Sequence, residues 1–66
     1  MPLAHIYFLE GRNQDQKEAM MQKVTEAICE TLVAPPENVR VLLHEQSTDS
    51  ISVGGETMTK IRAREQ

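Results

Sequence analysis

Pro2 carries the least ordinary chemistry open to this sequence. It follows Met1, and a small second residue permits methionine aminopeptidase to act, so the mature chain is expected to begin with a free prolyl amine. An ordinary α-amino group titrates at about 7.7 to 8.0. A secondary amine is intrinsically more basic, but burial in an apolar pocket beside guanidinium groups disfavours the ammonium form and brings the pKa toward neutrality. Such an amine can serve as a general base at physiological pH. Met-Pro is by itself a common start, so the reading depends on what else the chain can bring to Pro2. Arg12 and Arg40 are the candidates, because a guanidinium grips a carboxylate through two parallel hydrogen bonds. Two cations around one amine would suit a dianionic acid.

The remaining polar residues point to less. His5 and His44 fall on expected strands, but no carboxylate is spaced to complete a metal site with them; they read as exposed or interface histidines. Cys29 lies beside the apolar stripe of a helix, with no neighbour that would activate a thiolate. Gly54-Gly55 lacks the spacing and strand-to-helix setting of a phosphate loop and reads as a turn. Met20 and Met21 read as core filling.

Positioning these groups falls to a short series of elements. Leu3 to Leu9 is rich in strand formers, with Ala4, Ile6 and Phe8 on one face and Leu3, Tyr7 and Leu9 on the other, so both faces need cover. Glu10-Gly11-Arg12 is a turn, and Asn13 with Gln16 matches a helix N-cap and its capping-box partner. Met20, Met21, Val24, Ala27, Ile28, Thr31 and Leu32 form one stripe of an amphipathic helix, with Asp15, Lys17, Gln22, Lys23, Glu26 and Glu30 mostly opposite. Pro35-Pro36 is expected to stop that helix. Val39 to Glu45 is a second strand, with Val39, Val41 and Leu43 alternating against Arg40, Leu42 and His44. After a polar run, Ile51-Ser52-Val53 and Gly54-Gly55 suggest a hairpin, and Glu56 to Arg62 a helical turn before a frayed tail.

A crossover of this length implies two parallel strands joined in the right-handed sense, with the helix on one face of the sheet. The fold class is therefore α/β (α+β): a β-α-β unit with one long helix and a C-terminal β-hairpin. The other face of the sheet is left bare and both edges open, so copies of the chain are expected to pair along an edge and pack on that face. At 66 residues the chain is one domain, and such a domain buries only about 60% of the surface its unfolded chain exposes. Disulfides, metals or partner subunits support domains this small. Cys29 is the lone cysteine and leaves no intrachain disulfide and no CxxC ligand pair. Association remains.

Pro2 and Arg12 lie at opposite ends of the first strand, roughly 30 Å apart at the strand rise, so they cannot share a site within one chain. If two first strands pair antiparallel, the Arg12 of one chain approaches the Pro2 of the other. Arg40 opens the second strand at the Pro2 end and can reach that site from its own chain or a neighbour. A net charge of -3 and 3% aromatic residues give neither the basic footprint nor the stacking platform of a nucleic-acid binder. Without an apolar span or a secretion signal, no membrane partner and a cytoplasmic location are expected.

With these motifs in view, the chain resembles the 4-oxalocrotonate tautomerases over nearly its whole length. The marks are the Met-Pro start, Leu9-Glu10-Gly11-Arg12 leading into Asn13-Gln14-Asp15-Gln16-Lys17, the run Val39-Arg40-Val41, and Val53-Gly54-Gly55-Glu56. The resemblance implies a β-α-β protomer in a homohexamer, a trimer of dimers, with no metal or organic cofactor. It implies that Pro2 moves a proton between positions of an unsaturated 2-hydroxy or 2-keto acid such as 2-hydroxymuconate. By the same resemblance Arg12 would hold the distal carboxylate, Arg40 would draw charge toward the 2-oxygen end, and Leu9, Ile51 and Val53 would wall the pocket. The best-known members have an aromatic residue where this chain has Ile51, which predicts a less desolvated amine. Relatives that dehalogenate or hydrate acrylic acids use an acidic proline, added arginine and a water-activating carboxylate, for which Leu9, Ser52 and Val53 offer no match. A relative with promiscuous dehalogenase or hydratase activity is the lower-ranked enzymatic alternative, and a non-catalytic oligomer that binds small acids is the alternative from outside enzymology.

Overall fold

The computed structural model describes residues 1–65. Strand β1 (Leu3–Leu9) leads to helix α1 (Gln14–Leu32), a 3-10 turn at Pro36–Asn38 and strand β2 (Arg40–Gln46). Two-residue strands β3 (Ser52–Val53) and β4 (Glu56–Thr57) then form a hairpin that runs into helix α2 (Met58–Arg64). β1 and β2 are parallel, with Leu3 opposite Arg40 and Leu9 opposite Gln46. The β-α-β unit and the C-terminal hairpin are those expected.

α1 starts where Asn13 and Gln16 satisfy each other's backbone. The Gln16 N–H donates to Asn13 Oδ1 at 2.8 Å and the Asn13 N–H to Gln16 Oε1 at 3.0 Å, so two otherwise orphaned donors are paired. The end of the helix differs from expectation. It closes at Leu32, before the prolines, because Val33 turns left-handed at φ 53° and Ala34 donates back to the Cys29 carbonyl. Pro36 instead opens the 3-10 turn, where its fixed φ and missing N–H cost nothing.

The sheet-facing stripe also shifts. Lys17, Met20, Met21, Val24, Thr25, Ile28 and Cys29 are the partly covered positions, while Ala27, Thr31 and Leu32 are exposed. Cys29 is thus on the stripe and Lys17 is not on the outer face. Lys17 lies against β2 because its Nζ meets Glu45 Oε1 at 2.9 Å, while its stem covers apolar surface.

On the sheet, Ala4, Ile6 and Phe8 of β1 alternate with exposed Leu3, His5 and Tyr7. α1 covers the first set and nothing in the described residues covers the second. Only Val39 is buried among the described residues, while Leu3 and Tyr7 remain 58% and 67% exposed. The radius of gyration, 15.4 Å, exceeds the roughly 11 Å of a compact chain this long. β3, β4 and α2 form an arm with its own staples: Thr59 Oγ1 donates to Asp49, Arg64 pairs with Glu56, and the Met58 N–H donates to the Ile51 carbonyl. α2 runs to Arg64, further than the single turn and frayed tail expected; Gln66 lies outside the described residues. No helix of the described residues is long and apolar enough to cross a membrane.

Candidate active site

The parallel register sets Pro2 and Arg40 at one end of the sheet. The Arg40 N–H donates to the Pro2 carbonyl at 3.0 Å, extending the ladder one step beyond Leu3. Strand alternation separates their side chains: Pro2 falls in phase with Ala4 and Ile6 toward α1, whereas Arg40, opposite Leu3, falls on the bare face. The Arg40 guanidinium donates to the Glu37 carbonyl at 2.8 Å, which fixes its stem near the start of β2. With Met1 attached, the Pro2 nitrogen is a tertiary amide without a lone pair for base chemistry.

Arg12 stands at the other end, between a turn and a cap. Gly11 adopts φ 123°, a conformation that a side chain would strain, and Glu10 donates to the Gln46 carbonyl at 2.9 Å. Arg12 is therefore held where β1 ends and α1 begins. It borders a depression of about 340 Å³ with Phe8, Gln16, Lys17 and Met20. The helix N-terminus adds partial positive charge there, and the Lys17 charge is matched by Glu45. Among the described residues neither Arg12 nor Arg40 is paired with a carboxylate, so both guanidiniums are open to an acid. Sequence reasoning missed Lys17 here; its spacing of three and four from Met20 and Met21 was the available signal.

Leu9 ends β1 beside Arg12, whereas Ile51 and Val53 belong to the arm, 39% and 65% exposed. One chain thus carries the candidate residues in separate places: Pro2 with Arg40, Leu9 with Arg12, and the arm. A larger groove of about 670 Å³ runs along α1 past Met21, Thr25, Cys29 and Pro36. Glu26 and Glu30 line it as well, and their charge makes it a poor site for an anionic acid. No group of three or more His, Cys, Asp or Glu converges on a metal position among the described residues.

The family model described as Tautomerase enzyme matches residues 2–61. The chain belongs to the tautomerase family. Among curated relatives of this tautomerase, the 2-hydroxymuconate tautomerase of Pseudomonas sp. (strain CF600) is 44% identical over 62 residues, covering 94% of this chain and 98% of the relative. Among solved structures, a 4-oxalocrotonate tautomerase isozyme from Methylibium petroleiphilum superposes with a TM-score of 0.90 at 35% identity, covering 96% of this chain and 98% of that one. A heterohexamer 4-oxalocrotonate tautomerase from Chloroflexus aurantiacus J-10-fl gives 0.86 at 31% identity, covering 94% and 100%. Tautomerisation is an isomerisation, and this family membership favours an isomerase over the non-catalytic and dehalogenating alternatives.

Proposed function

We propose that this tautomerase interconverts enol and keto isomers of a small unsaturated dicarboxylate of the 2-hydroxymuconate type, as a cytoplasmic homohexamer acting without cofactor. The relatives named for 2-hydroxymuconate support the substrate class, and the heterohexamer among the structural neighbours supports the assembly. The observation that carries the reading is the placement of Pro2 and Arg12 at opposite ends of a β1 whose second edge pairs with no strand among the described residues. A second β1 running antiparallel along that edge brings Arg12 of one chain to Pro2 of the other, at both ends of the pair at once.

In this reading Met1 is removed and Pro2 presents a secondary amine. The amine takes a proton from the 2-hydroxyl of the dienol and returns it to a carbon of the conjugated chain, so that the enol becomes a keto acid and no atom is gained or lost. Arg12 of the neighbouring chain holds the distal carboxylate. Arg40, emerging on the bare face, comes from a copy packed against that face and stabilises charge developing at the 2-oxygen and its carboxylate. Leu9, Ile51 and Val53 close the apolar wall, with the arm of one chain laid across another. Exclusion of water by that wall keeps the amine neutral and strengthens both guanidinium contacts.

The test is an ultraviolet assay of ketonisation on protein whose mass shows loss of Met1, with 2-hydroxymuconate and with phenylenolpyruvate, a monocarboxylate. The two-arginine reading requires kcat/KM to favour the dicarboxylate. Equal efficiency with both would remove the role given to Arg12.

A further inference from the structure

The bare face of the β1–β2 sheet has a polar pair in its middle. His5 Nδ1 and His44 Nε2 are 2.8 Å apart, and the two rings lie nearly parallel, 5.1 Å between centroids. His44 also stacks on Tyr7 at 4.5 Å. Leu3 and Leu42 flank this cluster and are themselves exposed. The register explains the contact: His44 lies opposite Tyr7 and His5 opposite Leu42, so the two histidines are diagonal neighbours on one face.

A hydrogen bond between two imidazole nitrogens needs one N–H and one lone pair. A neutral pair meets that need, and so does a pair carrying one proton. A second proton leaves N–H groups facing each other and two like charges in contact. On an open face the rings can part and hydrate; under a covering subunit they cannot, and the unpaired charge is costly. The other titratable or charged groups on this face are Tyr7 of β1 and Arg40 of β2, and Arg40 adds charge of the same sign. α1 lies against the opposite face, where Lys17 is paired with Glu45.

We propose that the His5–His44 contact makes association of copies across this face proton-dependent, with acid driving the subunits apart. This rests on the assembly proposed above. The covered face holds fewer protons than the open one, so the stabilisation is present at neutral and higher pH and is lost in acid, where the face takes up its second proton. Exclusion of one proton per pair lowers subunit affinity by up to about tenfold for each pH unit of acidification.

Sedimentation velocity on the full chain at about pH 8 and about pH 5, at several concentrations, tests this for the wild type, His5→Gln and His44→Gln. The wild type should be assembled at the higher pH and shift to smaller species at the lower. Both variants, which keep a polar side chain but lose the titrating pair, should hold the same mass at both. An assembled wild type that ignores pH, or variants that still dissociate in acid, would overturn the proton coupling alone. A wild type that is monomeric at both pH values would overturn the assembly reading as well.

Discussion

Two inactive chains should restore each other if the site spans a subunit boundary. One chain carries an uncleaved N-terminal extension, so its Pro2 nitrogen stays an amide; the other carries Arg12→Ala. The first lacks the base. The second lacks two charge-assisted hydrogen bonds to a carboxylate, a loss of about 3 kcal/mol and roughly 10²-fold in kcat/KM. Pro2 and Arg12 are roughly 30 Å apart along β1 and its turn, far more than a small dicarboxylate can bridge. In an equal mixture unfolded and refolded together, a given site draws an intact Pro2 half the time and an intact Arg12 half the time, so roughly a quarter of wild-type activity should return. Ketonisation of 2-hydroxymuconate, followed by ultraviolet absorbance before and after mixing, reads this directly. Activity that stays at the mean of the two parents would refute a site shared between the two chains.

Other consequences concern the arm and the ends of α1. Ile51→Phe should desolvate the prolyl amine further, disfavour its ammonium form and move the acid limb of the kcat/KM profile to lower pH; an upward shift would contradict the role given to the wall. Asn13→Ala removes the cap that accepts from Gln16 and should destabilise the assembly by about 1 kcal/mol per subunit in urea titration. Val33→Gly relieves a β-branched residue at positive φ and should stabilise by about 0.5–1 kcal/mol. A destabilised Val33→Gly would mean that the exposed valine side chain is covered in the assembly.

Much of this protomer was legible because its signals are local. Alternation along Leu3–Leu9 and the Asn13/Gln16 pair depend on neighbours in sequence, and β1 and the start of α1 were found from them. The C-terminal end of α1 was not, because nothing in its composition distinguishes Val33 turning left-handed from a helix continuing to Pro35. Charge alone puts Lys17 on the outer face; a carboxylate from β2, at Glu45, draws it inward. The His5–His44 contact depends on the exact register of strands separated by a whole helix, information that residue types do not carry. For the candidate site, residue types single out Pro2, Arg12 and Arg40, while the structure of one chain sets Pro2 with Arg40 at one end of the sheet and Arg12 at the other; what would join them is a second chain, which no local signal describes.

If the Pro2 nitrogen is the base, retention of Met1 must silence it. Ketonisation of 2-hydroxymuconate would be measured on two preparations of the same assembly, one with Met1 removed and one with it retained, their masses and oligomeric states matched. Conversion of the amine to an amide should reduce kcat/KM by about 10²–10⁴, the usual contribution of a positioned general base. Equal activity in the two preparations would mean that Pro2 is not the base, because an amide nitrogen cannot take the proton.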